Sequence, residues 1–334
     1  MTHDGPVSPG GGTAGTLDEA TALFAEHRKM LFAIVYNLLG TVSDTEDVLQ
    51  DTWLSWASAR RDEVANARAY LVRIAVNGSL ARMRDVRLSR ESYVGPWLPE
   101  PLLTEPDTAE TAVRAESVSL ALMVVLETLT PLERAVFVLR EAFGYDHAGI
   151  AGILGRSPAA VRQLAHRARE HVRARRPRYE PDPAVRRAAT ERFLAAALGG
   201  DLNALMEVLA PDVTMRSDSG GKRWAALRVI EGRDRVARLL AAISCRVPAG
   251  LAVRYLDVNG GPAALLFVGD ELYGIMVVDL SQGGDSEGGD SEGGDRIRGI
   301  YSVLNPDKLT SVTGTSAITG GRLKAHGDAL SARI

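Results

Sequence analysis

Cysteine is almost absent: the 334 residues contain one, Cys245. That excludes an internal disulfide framework and a cysteine-based zinc site, and it fits a reducing cytoplasm. Long apolar runs are missing as well. No stretch approaches 18 apolar residues, so nothing is expected to span a membrane. Residues 1–16 are rich in Gly, Pro, Ser and Thr but lack a basic start and an apolar run, so they read as a disordered tail and not a signal peptide. There is no phosphate-binding loop, no dinucleotide fingerprint and no histidine pair at metal spacing, so neither a cofactor nor a metal is expected.

Net charge is also small, −3, but the total conceals strong local fields. Tyr145 to Arg178 carries eight arginines against two acids, and Arg68 to Arg90 carries six against one. Ser43 to Trp56 carries four acids and no base. Such local fields matter more than the total for nucleic-acid contact.

The densest signal lies in residues 130–173. Thr130 and Ser157 each precede a proline, Pro131 and Pro158, which is a hydroxyl cap followed by proline at the first helical position. Glu133 completes a capping box with Thr130. After Ser157, the residues Val161, Leu164, Ala165, Ala168 and Val172 make one apolar stripe, and Arg162, Gln163, His166, Arg167, Arg169 and Arg173 fill the other face. A short helix from about His147 to Leu154, a Gly155-Arg156 turn and this basic helix spell helix-turn-helix. Arginine and glutamine on such a helix can read base edges in the major groove.

Around this motif the chain divides into blocks. The expected organisation is a tail (1–16), a helical domain (17–92), a proline-rich linker (93–108), a second helical domain holding the helix-turn-helix (109–178), an α+β domain (184–310) and a loose tail (311–334). In the first block, Ser43 and Glu46 read as a capping box for a helix carrying Val48, Leu49, Trp53 and Trp56, and a third helix is expected from about Asn66 to Arg84. Pro96, Pro99, Pro101 and Pro106 exclude a helix through the linker. Beyond Pro183 two helices precede a run of strands expected to be antiparallel, with Gly269-Asp270 as a hairpin turn. The low-complexity insert 283–295, GGDSEGGDSEGGD, reads as a solvated hairpin loop.

Three segments in order resemble an extracytoplasmic-function sigma factor of bacterial RNA polymerase: SDTEDVLQDTWLSW (43–56), NARAYLVRIAVN (66–77) and LTPLERAVFVLREAFGYDHAGIAGILGRSPAAVRQLAHRARE (129–170). The linker YVGPWLPEP (93–101), NPDKL (305–309) and SDSGGK (217–222) resemble motifs of a subgroup with a C-terminal SnoaL-like domain, a cone of curved sheet and helices. Ser219 departs from the subgroup's Asp-Gly-Gly-Gly-Lys pattern, and the Gly-Gly-Asp-Ser-Glu repeat is foreign to it.

The resemblance implies two all-α sigma domains followed by an α+β cone, and a function in transcription initiation. It implies reading of the minus-thirty-five element by Ser157, Ala159, Ala160, Arg162, Gln163, His166, Arg167 and Arg169, with the last three of these toward phosphates. It assigns the minus-ten element to Arg73, Asn77, Arg82, Arg84 and Arg87, on a helix and its exit loop. Asp44, Glu46, Asp47, Asp51 and Trp53 would dock core polymerase on the clamp helices of its β′ subunit, with a further contact of the chain to the β flap. In the subgroup the extension modulates the sigma factor in place of an anti-sigma protein, which makes Trp97, Asp218, Lys222, Asn305, Asp307 and Lys308 candidates for intramolecular regulatory contacts. Two other readings stay open on the residues alone. One is a ligand-sensing helix-turn-helix regulator that binds DNA without polymerase. The other is a SnoaL-type enzyme, for which Asp212, Asp218 and Asp257 are positional candidates; it is disfavoured because the only histidine beyond residue 184 is His326.

Overall fold

The computed structural model describes residues 12–60, 63–104, 118–175, 181–281, 295–313 and 324–325. Three long helices come first: α1 (Gly12–Leu39), α2 (Val42–Ala57) and α3 (Ala67–Glu91). Their apolar stripes meet in a core that includes Leu31, Ile34, Leu38, Leu49, Trp56, Leu71 and Val72. α1 stops at Gly40, whose φ of +78° suits glycine. A side chain there would also strike the Trp97 ring, 2.8 Å from the position of a Cβ.

Several expectations in this block need correction. α1 begins at Gly12, inside the segment read as a disordered tail. The Ser43–Glu46 capping box does not form. The helix starts two residues earlier, at Val42, and Thr41 at the cap position gives its hydroxyl to Asp44 instead. The Val42 amide donates to the carboxylate of Glu100, 58 residues on, so an acid from the linker caps the helix. Glu46 is drawn away to Arg28. α3 continues through Arg87 to Glu91, with Asn66 as its cap, so the expected exit loop is helix.

The second helical block comprises α4 (Leu120–Leu126), α5 (Pro131–Phe137, continuing as a π-helical turn to Ala142), α6 (His147–Leu154) and α7 (Pro158–Arg175). Thr130 and Glu133 form the predicted capping box. Gly155, in the left-handed region, closes α6 and makes the turn into α7. The two blocks are not separate globules. One continuous apolar cluster runs from Ile34 and Leu71 to Val136, Ile150 and Val161.

The third unit is α+β. Helices α8 (Pro183–Gly199), α9 (Leu202–Val208) and α10 (Arg233–Ile243) cover one face of a seven-stranded sheet. Its strands are β1 (Leu209–Asp218), β2 (Ile230–Glu231), β3 (Leu251–Val258), β4 (Gly261–Val268), β5 (Glu271–Ser281), β6 (Arg296–Val303) and β7 (Lys324–Ala325), in the order β2-β1-β6-β5-β4-β3-β7. The sheet is mixed and not antiparallel throughout, because β1 pairs with β6 in parallel. Local reading of hairpins from Leu251 onward has no access to that long-range partner. The insert lies outside the described residues up to Gly294, as do linker residues 105–108 and His326. The tail expected to be loose from 311 begins with a helical turn, α11 (Thr310–Thr313), whose Val312 is buried, and it returns as β7.

The other face of the sheet is covered by the N-terminal half. Leu98 of the linker and Leu120 and Ala121 of α4 pack against Ala263, Leu265, Phe267 and Ile275. This explains why β4 is apolar at nearly every position: it is buried on both faces. It also corrects the linker, whose residues 97–101 form an interface layer and not a free tether.

Candidate nucleic-acid and interdomain sites

The edge of α7 is built from its caps outward. Val161, Ala165, Ala168 and Val172 are buried, and the Ser157 hydroxyl accepts the Ala160 amide. That orientation leaves Ser157, Ala159, Arg162, Gln163, His166 and Arg167 exposed and Ala160 half-buried. Arg167 pairs with Glu133 at 2.9 Å and half-buried Arg169 with Glu141 at 2.8 Å, tying the basic helix to α5 and the π-helical turn. Glu133 serves the capping box and the Arg167 pair at once. Burial pushes its carboxyl up, but the hydrogen bonds from Thr130 and Arg167 outweigh that and hold it below its ordinary value.

The minus-ten set divides. Arg73, Arg84 and Arg87 are exposed on α3. Asn77 gives its amide to the carbonyl of Ile153 in α6, so the helix-turn-helix rests on this face. Arg82 bridges Asp44 at 2.9 Å and Asp47 at 2.8 Å. One arginine of the expected DNA face is thereby paired with two acids of the expected docking face. The segment around Arg60, the start of α3 (Asn66, Tyr70, Arg73) and α6 (Gly149, Gly152) enclose a cleft of about 580 Å³.

Of the docking set, Asp47 and Asp51 are exposed, while Asp44 is only 18% exposed under Arg82. Trp53 leans on Phe24, with ring centroids 5.5 Å apart, and Trp56 is core, its indole N–H donating to the Ala20 carbonyl. The exposed apolar residue of this stripe is Leu54, 57% exposed, which the sequence reading did not single out. It stands at helical spacing after Asp47 and Asp51, which is the signal that could have found it.

The regulatory candidates converge. Asp218 is fully buried, and its carboxylate accepts from the Tyr93 hydroxyl (2.5 Å), the Leu98 amide (2.8 Å) and the Lys308 ammonium (2.6 Å). Lys308 also donates to the Leu98 carbonyl and lies 4.2 Å from the Trp97 ring centre. Asn305 donates to the Tyr93 hydroxyl and accepts the Asp307 amide. At Gly220, φ +56°, a Cβ would sit 2.6 Å from the Asn305 amide, so the turn after Asp218 requires glycine. Lys222 and Asp307 form an exposed pair at the rim. Burial lowers the Lys308 pKa to about 8, against the pull of Asp218, and burial with the Asp218 bond raises that of Tyr93.

Three further contacts escaped the sequence reading. Tyr93 has the hydroxyl that joins Asp218 to Asn305. Asn259, at φ +49° in the β3–β4 turn, donates to Tyr36 of α1, whose hydroxyl donates to the Glu100 carbonyl. Arg90 at the end of α3 stacks 3.3 Å over Trp97, donates to the Leu39 carbonyl and pairs with Glu127, which also pairs with buried Arg134. Burial lowers the Arg90 pKa, with Glu127 opposing. Among the described residues no helix is long and apolar enough to cross a membrane, and no His, Cys, Asp and Glu cluster is suited to a metal.

Comparison with known proteins agrees with this arrangement. The family described as Sigma-70 region 2 matches residues 23–88, and the one described as Sigma-70, region 4 matches 119–172. The chain is 36% identical over 296 residues to the ECF RNA polymerase sigma factor SigJ of Mycobacterium tuberculosis, covering 86% of this chain and 92% of that protein. It is 30% identical to the probable ECF RNA polymerase sigma factor SigI of the same species, covering 80% and 90%. The crystal structure of M. tuberculosis SigJ superposes with a TM-score of 0.68 at 33% identity, covering 87% of this chain and 98% of that one.

Proposed function

Because the chain belongs to the extracytoplasmic-function RNA polymerase sigma factors, with a SnoaL-like C-terminal unit, we propose that it binds core polymerase and promoter DNA through the surfaces described above and that its C-terminal unit controls when it does so. Asp47, Asp51 and Leu54 of α2 form the polymerase-docking edge, an apolar contact with an acidic rim. Ser157, Ala159, Arg162 and Gln163 at the start of α7 read the minus-thirty-five element, and His166, Arg167 and Arg169 follow the phosphates. The exposed side of α3, with Arg73, Arg84 and Arg87, follows the minus-ten strand. The cleft beside Tyr70 receives an unstacked base. The chain acts in the cytoplasm and by binding, without catalysis of its own.

The observation that carries the regulatory part is the hydrogen bond from Asn77 to Ile153. The two promoter elements lie about 25 base pairs apart, some 85 Å along B-DNA. Arg162 follows Ile153 by nine residues, which span at most about 32 Å even when fully extended. With α6 seated on α3, one molecule cannot reach both elements. The described arrangement is a closed state, and initiation requires α6 and α3 to part. The linker resists this, because its Tyr93–Glu100 stretch is held by Asp218 and Lys308 on one side and by α1 and α2 on the other.

Run-off transcription with purified core polymerase tests the proposal. The full chain should support initiation only together with core. Asp218→Asn should change the output without abolishing binding to core. Tight promoter binding with no role for core would favour the stand-alone regulator instead, and unchanged output from Asp218→Asn would reject control by the C-terminal unit.

A further inference from the structure

On the sheet face that meets the second helical block lies a cleft of about 250 Å³ whose polar residues the sigma-factor reading leaves without a role. Its floor is set by register. Thr214, Gly299 and Asp279 stand side by side on β1, β6 and β5, with Arg216 and Tyr301 in the next row. Gly299 leaves a gap in the middle of the first row. The Tyr301 ring folds back over that gap, since a Cβ on Gly299 would lie 2.9 Å from the ring and its hydroxyl.

The walls are cationic. β6 is irregular here: Ile297 and Gly299 oppose the consecutive residues Leu280 and Asp279, so Arg298 is an extra residue of the strand. Bulges of this kind re-aim a side chain and occur next to functional sites. Arg298 is turned toward Asp212, 3.1 Å away, at the rim of the cleft. Arg216 joins it from β1, where it donates to the Thr214 hydroxyl. From the other side comes Arg175, the last residue of the DNA-reading helix α7. Three arginines thus line a cleft that also has two carboxylates on its wall, Asp212 and Asp279, and one of the three is paired with Asp212.

We infer that this cleft is a binding site for a small organic oxyanion, a carboxylate or a phosphate. The planar fork of arginine matches both kinds of anion in two-pronged fashion. The volume is below that of most drug-sized sites, which limits the ligand to a small metabolite. Because one arginine belongs to α7 and two to the sheet, a bound anion joins the helix-turn-helix to the C-terminal unit. It stabilises whichever arrangement brings them together. This consequence for transcription rests on the closed-state reading given above; the binding itself does not.

The test uses the full chain without polymerase or DNA, so it can fail while the sigma-factor reading stands. Thermal unfolding and calorimetric titration are followed with citrate and with inorganic phosphate at ionic strength held constant by sodium chloride. At least one probe should bind saturably, and which one does separates carboxylate from phosphate recognition. Arg216→Ala and Arg298→Ala should each weaken binding about tenfold or more. Arg298→Lys should retain part of it, and Arg238→Ala, on the exposed side of α10, should leave it unchanged. Saturation by neither probe, or equal responses in all four variants, overturns the inference.

Discussion

The ammonium of Lys308 and the carboxylate of Asp218 meet at 2.6 Å in a space closed to solvent, and the linker backbone at Leu98 bonds to both. Removing one member of a buried ion pair costs about 3–5 kcal/mol, because the survivor keeps its desolvation penalty without its partner. Asp218→Asn is expected to cost that much. An amide keeps one oxygen for Lys308 and Leu98, but it turns donor hydrogens toward the Tyr93 hydroxyl and removes the negative charge that faces the buried ammonium. Lys308→Met should cost less, since Tyr93 and Leu98 still donate to Asp218. Urea unfolding of the two variants and of the double variant measures the coupling, and the double variant should be more stable than the two single losses added together predict.

The same lysine gives a pH dependence with a definite sign. Unfolded, Lys308 holds its proton to about 10.5; folded, burial brings its pKa down to about 8. Between these values the unfolded chain binds more protons, so stability rises with pH. The contribution is complete above 10.5 and is lost as pH falls through 8, a difference of about 3 kcal/mol. Tyr93 works in the opposite direction above pH 10, because its raised pKa keeps it protonated in the folded chain alone. The stability difference between the natural chain and Lys308→Met should therefore grow from pH 8 to pH 10. A flat difference across that range would show that Lys308 stays charged in the folded chain.

Glu127 neutralises Arg90 of α3 and Arg134 of α5 at once, which makes it the charge that holds the two helical blocks together. Glu127→Gln should leave two largely buried guanidinium groups facing each other and cost about 3 kcal/mol, at the lower end for a broken pair because Glu127 is one-fifth exposed. The loss should fall on the contact between blocks. Amide hydrogen exchange should speed up in α6 and near Asn77 while the sheet stays protected. Faster exchange in the sheet as well would mean general unfolding and not opening.

Much of this molecule is legible in its local sequence. The Thr130 capping box, the Gly155 turn and the stripe from Val161 to Val172 involve residues within a few positions of one another, and each of them places α5, α6 or α7. The errors share a cause, which is a partner far along the chain. Ser43 loses the cap position because Glu100 supplies a carboxylate from outside the helix. The sheet is mixed because β1 finds β6 some 80 residues later. Arg82 reads as a DNA contact until Asp44 and Asp47 are placed beside it. The motifs around Trp97, Asp218 and Lys308 could be flagged by resemblance, but nothing local shows that they form one hydrogen-bonded cluster. Tyr93 is marked only as the first residue of the linker motif, with no role assigned, and Asn259 carries no signal of its own.

Arg162 and Arg169 sit seven residues apart on the same side of α7, yet they should fail differently. Arg162 is exposed near the helix start, where side chains reach base edges, whereas Arg169 is half-buried and already paired with Glu141. Arg162→Ala should cost about 1–3 kcal/mol for the preferred base at one promoter position and little when that base is changed. Arg169→Ala should weaken binding to all sequences alike and make the salt dependence shallower by about one unit of slope, the signature of one lost phosphate contact. The measurement is promoter binding by the assembled polymerase across a salt series, with matched and single-substituted minus-thirty-five elements. Glu141 already pairs with Arg169, so on the proposed phosphate contact Glu141→Gln should strengthen binding and leave base preference untouched. If both arginine variants lose affinity equally on every sequence, α7 positions the domain without reading bases, and discrimination has to come from Gln163 or from the shape of the DNA.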